Sequence, residues 1–80
     1  MKTQLFQEVV LTQDVESEQL KSGDVAMLVD YVAHPHGGED GAVLEVFNVL
    51  GESIGVAVVP LSAILPLTAN FMPTARRLAA

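Results

Sequence analysis

The chain holds no cysteine and no tryptophan, one tyrosine, three phenylalanines and only four basic residues. Without cysteine, a disulfide framework, a thiolate nucleophile and cysteine-ligated zinc are all excluded. The shortage of Lys and Arg speaks against nucleic-acid binding, which rests on neutralising phosphates. Lys2, Lys21, Arg76 and Arg77 are the whole supply, against ten acidic residues, and the net charge is −6. So few aromatic rings also leave no platform on which bases would stack. No nucleic-acid partner is expected; an acidic surface facing a basic protein remains open.

Long apolar runs are missing too. Ser53 to Ala75 carries no charge and precedes Arg76-Arg77, which on charge alone looks like a membrane span with a basic flank. Pro60, Pro66 and Pro73 each break such a helix, and Gly55 and Asn70 weaken it. The longest strictly apolar run inside it is Val56 to Val59. Met1-Lys2-Thr3 is followed by Gln4, Gln7 and Glu8, which is no signal-peptide core. The expectation is a soluble, cytoplasmic protein without a membrane partner.

What the chain does have is aliphatic mass. Half of its 80 residues are apolar, including twelve Val and ten Leu, which is ample for folding but only for one core. Valine-rich segments punctuated by turn residues every eight to twelve positions predict an all-β domain. Strands are expected at Glu8–Thr12, Val25–Val32, Ala42–Asn48, Ser53–Val59 and Leu65–Leu67. Gln13–Ser22 reads as a polar loop anchored by Val15 and Leu20. Ala33–Gly41, with three Gly and one Pro in nine residues, reads as the most flexible stretch. Val49-Leu50-Gly51-Glu52 supplies a tight hairpin connection, and Leu61–Ile64 one short helical turn. Residues 1–68 are thus expected to form the domain. Residues 69–80 form a tail, too short to hold a helix alone, that is frayed or docked through Phe71, Met72 and Leu78.

Leu20-Lys21-Ser22-Gly23-Asp24-Val25, followed by Leu28-Val29, resembles the strand start of small SH3-like barrels of the KOW type. Leu44-Glu45-Val46-Phe47, Gly51-Glu52-Ser53-Ile54, a Val-rich strand and Pro60 follow. Together these segments resemble a small bacterial family catalogued only as domain-of-unknown-function family 4926. The resemblance covers about Glu8 to Leu67 and departs at Ala26, where a second glycine is expected. It implies a five-stranded, partly open SH3-like barrel and no activity, since fold does not supply function.

Four groups of residues invite a chemical reading. His34, His36, Glu39 and Asp40 lie within seven residues and are all types that ligate divalent metal, so zinc or nickel binding is one alternative. The glycines around them favour a solvated turn instead. Gly37–Gly41 is no phosphate cradle, because it leads into a strand and carries acids rather than Lys or Arg. Glu45, inside an apolar run, is a candidate acid with Asp30 or Glu52, or simply an outward strand residue. The serines and threonines show no triad order with a His.

The stronger signal is an excess of apolar surface. Val43 and Phe47 alternate with Leu44 and Val46, so both faces of the third strand are apolar, and a small barrel has one inside. Leu44 and Val46 are assigned to the interior. Val43 and Phe47, with Phe71 and Met72 nearby, form the expected interaction patch, rimmed by carboxylates. The functional expectation is a non-catalytic protein-interaction module without a cofactor, an accessory or immunity-like partner of another bacterial protein. A homodimer is the default self-association, and metal or ligand binding by the His34–Asp40 loop is the alternative.

Overall fold

A computed structural model describes residues 4–78. The outer ends of the expected domain and tail, Met1–Thr3 and Ala79–Ala80, lie outside the described residues. The chain is all-β. Its elements are β1 (Glu8–Leu11), a 3₁₀ turn (Glu16–Glu18), β2 (Val25–Val32), β3 (Gly41–Phe47), β4 (Ser53–Pro60), a second 3₁₀ turn (Leu61–Ala63) and β5 (Ile64–Pro66). Every pairing is antiparallel, in one open sheet of order β4-β3-β2-β1-β5. That is the order of a small, partly open SH3-like barrel: a four-stranded meander whose fifth strand returns to β1. Among the described residues no helix is long and apolar enough to cross a membrane.

Register decides which side chains share the inside. Across the sheet run the rows Pro66–Val9–Ala26–Val46–Gly55, Leu28–Leu44–Ala57 and Tyr31–Ala42–Val59, with Leu11 opposite Ile64. These rows supply most of the single buried cluster, which Leu20 and Ala63 complete. Val15, Tyr31, Val46 and Leu61 pack against its margin. Each row sets an alanine or glycine beside larger aliphatics, so a narrow barrel fills without clashes. Ala26, where a glycine was expected, is one of these small buried residues. The assignment of Leu44 and Val46 to the interior follows the same parity.

Strand limits differ from expectation by single residues, each with a local cause. β1 ends at Leu11 because Thr12 already donates its N–H to the Ala63 carbonyl at 2.8 Å, turning toward the second 3₁₀ turn. β4 runs on to Pro60 because Pro60 pairs with Gly41. Its missing N–H lies on the free side of an edge strand, where a proline costs no ladder bond. β5 starts and ends one residue earlier, with Leu67 still donating to the Glu8 carbonyl at 3.1 Å. Gly51, at φ +82°, closes the β3–β4 turn in a conformation that a side chain would strain. Residues 71–78 hold no regular structure.

The face assignment is testable by paired truncation. Leu44→Ala empties a fully buried site and should lower stability by about 2–5 kcal/mol. Val43→Ala, one residue away on the half-buried opposite face, should cost less than about 1 kcal/mol. Urea midpoints at constant slope measure both, and equal losses would refute the two-faced arrangement of β3.

Candidate interaction surface

The outer face of the same sheet follows from the alternate parity. Its rows are Glu8–Met27–Glu45–Val56 and Asp30–Val43–Val58, with Phe47 opposite Ser53. Apolar and acidic side chains therefore interleave here. The five strands carry no Lys or Arg. Val43 and Phe47 are half-buried. The openly exposed apolar positions lie beside them on β4, with Val56 at 65% and Val58 at 47% exposure. Phe71 and Met72 are also exposed, but in the tail that leaves β5, the edge strand at the opposite end of the sheet order from β4. Val43 and Phe47 thus sit on a strand face, and Phe71 and Met72 in the tail.

β4 is an edge, and edges must be protected. Val58 N–H points away from β3 and donates to Glu18 Oε1 at 3.4 Å, so the first 3₁₀ turn covers the middle of the edge. Pro60, on the same side two residues later, has no N–H to leave bare. A register shift at Val46/Phe47 skews the far end of the strand.

The β3–β4 tip is a second apolar feature. Asn48 Oδ1 accepts the N–H groups of Leu50 and Glu52, both at 3.0 Å, while Asn48 Nδ2 donates to Glu52 Oε1 at 2.7 Å. This framework holds Val49 and Leu50 out at 93% and 81% exposure. Sequence reasoning treated both as connection only. The available signal was two consecutive aliphatics in a turn, between an Asx residue and a glycine.

The four side chains of the expected metal site do not converge. Among the described residues no group of three His, Asp or Glu side chains is placed to hold a metal ion. Glu39 is committed elsewhere: its two oxygens accept the Ser62 N–H at 2.7 Å and the Ser62 hydroxyl at 3.0 Å. His34 Nδ1 accepts the His36 N–H at 3.1 Å, and the two rings meet edge to face at 6.1 Å. Glu39 thus stitches the loop to the second 3₁₀ turn. Glu45 has apolar cross-strand neighbours, Met27 and Val56, while Glu52 is held by Asn48.

The most organised polar contact was not anticipated. Asp24, at the start of β2, accepts Arg76 Nε at 2.8 Å and Arg76 Nη2 at 2.5 Å in a forked ion pair. It also accepts the Lys21 N–H at 2.9 Å. Arg76 Nη2 reaches the Gln19 carbonyl at 3.2 Å as well. Gln19 is left-handed, with φ +57°, as it ends the first 3₁₀ turn. Burial alone would raise the Asp24 pKa. The hydrogen bonds from Arg76 and Lys21, with the charges of both, outweigh it and hold the carboxyl below the ordinary 3.8.

No family model, no curated protein and no solved structure matches this chain.

The fork gives a pH signature. A carboxyl with a depressed folded pKa contributes stability fully above its unfolded value, and loses it as pH falls through the folded one. Asp24→Asn should therefore lower stability by ~0.5–1 kcal/mol at neutral pH, the upper part of the range for a solvent-screened pair, because the fork is well aligned. Below 3.8 the wild-type and variant melting temperatures should converge as the wild-type carboxyl protonates. A gap that persists at about pH 2 would assign the loss to packing rather than to charge.

Proposed function

We propose that this chain is a non-catalytic protein-interaction module that docks a basic protein partner on the outer face of β3 and β4. The observation that carries this reading is the exposed valine pair Val56 and Val58, flanked by Val43 and Met27, on a face whose interior counterpart is already filled by one core. Glu8, Asp30 and Glu45 stand in the same cross-strand rows. An apolar centre among carboxylates suits a partner that brings aliphatic or aromatic anchors surrounded by Lys and Arg. Two copies meeting on this face would bring both sets of carboxylates together, so a basic heterologous partner is favoured over a homodimer. The Val49-Leu50 tip, framed by the Asn48 hydrogen bonds, offers a further anchor at one end of the strand pair.

Enzymatic chemistry finds less support. Glu45 is flanked in register by Met27 and Val56 rather than by a second titratable group, and its row is open sheet rather than a cleft. An accessory or immunity-like role in bacteria, covering a basic surface of another protein, asks for no more than this face. A cytoplasmic setting is in keeping with a chain free of cysteine. The resemblance to the uncharacterised bacterial barrel family adds a setting and no activity.

Candidate partners are the products of neighbouring genes, assayed as purified proteins. Association with a genuine partner should slow as salt rises, because steering between unlike charges is screened beyond about 8 Å at physiological ionic strength. Val56→Lys with Val58→Lys should abolish binding while leaving the melting temperature within a few degrees, since both side chains are exposed. Binding that survives the double substitution, or that is insensitive to salt, would overturn the proposed face.

A further inference from the structure

A groove runs between the first 3₁₀ turn and the near end of β4, with a volume of about 280 Å³. Leu20, Val46, Ile54, Val56 and Ala57 make its apolar wall, and Glu18 stands on its rim. Asp24 and the Gln19 carbonyl form an acceptor pair that Arg76 reaches from the groove. Arg76 and Leu78, from the tail, line the remaining side. The tail's arginine is therefore seated on the acceptors, and two residues later its leucine borders the apolar wall. The rest of the tail contributes little: residues 68–78 are all exposed, and Met72 is 84% so.

This arrangement has the form of a ligand in its site rather than of a structural element. A tail that built the fold would bring a strand ladder or a buried apolar face, and residues 71–78 bring neither. What it brings is a planar cation matched to a fork of carboxylate oxygens, the pairing by which arginine-bearing peptides are selected. The surroundings are complementary to a cation beyond that one contact, because the charge of Asp14 also favours Arg76. β4 adds a backbone feature. Val56 shares the free side of the strand with Val58, so its N–H also faces the edge beside the groove. An extended chain lying there would meet a main-chain donor as well as side chains.

We infer that the groove is a docking site for an extended basic segment of another protein, with an arginine for Asp24 and an apolar side chain two residues later for the Val46–Ala57 wall. Arg76–Leu78 is its stand-in in the unbound protein. Tethering through the residues after β5 gives the tail an effective concentration in the millimolar range, so it fills the groove until a segment with more contacts displaces it. The site uses Asp24 and Arg76, which the outer valine face does not, and each can fail alone.

The full-length chain carrying Arg76→Ala removes the stand-in and keeps the groove. The probe is the peptide Pro-Thr-Ala-Arg-Arg-Leu, the sequence of residues 73–78, with blocked ends. Titration calorimetry and amide shift perturbation should show it binding Arg76→Ala at least tenfold more tightly than wild type. Shifts should centre on Leu20, Asp24 and Ala57. Binding should vanish in Arg76→Ala with Asp24→Asn, and with a peptide whose first arginine is alanine. If Arg76→Ala does not fold, Arg76→Lys, which keeps the charge and loses the fork, replaces it with the same expected order. Failure to bind at millimolar peptide, or equal binding with and without Asp24, would overturn the site. Val58→Lys alone, run in parallel, reports on the outer face separately, because Val58 is exposed there and does not line the groove.

Discussion

A five-stranded sheet curled on itself has one inside, and its diameter is set by what must fit there. In this chain the fit is made by small residues at fixed register positions: Ala26 between Val9 and Val46, Ala42 between Tyr31 and Val59, Ala57 opposite Leu44. The large members, Leu11, Leu28, Leu44, Val9 and Val59, are fully buried. No buried side chain is polar or charged among the described residues. The interior is thus closed to charge, and every acidic or basic side chain among the described residues lies on the outer face, in the loops and turns or in the tail. Function, wherever it lies, lies on the surface.

The outside follows from the same constraint. Because the strands hold no basic residue, the charged outward positions are all carboxylates, and most of the others are apolar. The edges are protected by local means. Glu18 takes a bare N–H of β4, Pro60 supplies none, and β5 is only three residues long and ends in Pro66. These devices deter indiscriminate strand pairing at low cost, while leaving the valines of β4 uncovered.

Much of the barrel was legible in the sequence, because it rests on short-range patterns. Valine spacing located the strands, turn residues separated them, and parity along Leu44-Glu45-Val46-Phe47 divided inside from outside. What escaped rests on long-range pairing. Asp24 meets Arg76 across 52 positions, and Glu39 meets Ser62 across 23. Neither pair has a periodic signature, and charged residues in loops are compatible with many partners. The His34–Asp40 loop is a related case. Proximity in sequence placed four ligand types together, whereas Glu39 is bound to a turn that sequence distance hides. Arg76 and Arg77 read as the basic flank of an uncharged stretch, yet the first of them is the cation that anchors the tail.

Strand order also carries a kinetic meaning. β2, β3 and β4 are sequential neighbours, joined by connections short enough to pair as soon as each hairpin closes. β1 and β5 come from opposite ends of the barrel, and Leu11 can face Ile64 only after nearly the whole domain has been laid down. Loop-closure entropy rises with the length enclosed, so that pairing is the expensive one and profits from a preformed meander. The hypothesis that follows is a transition state polarised toward the central meander. High φ-values at Leu28 and Leu44, with values near zero at Ile64, are its mark, and the reverse pattern would reject it. The seam between β1 and β5 would then be the last part to close and the first to open.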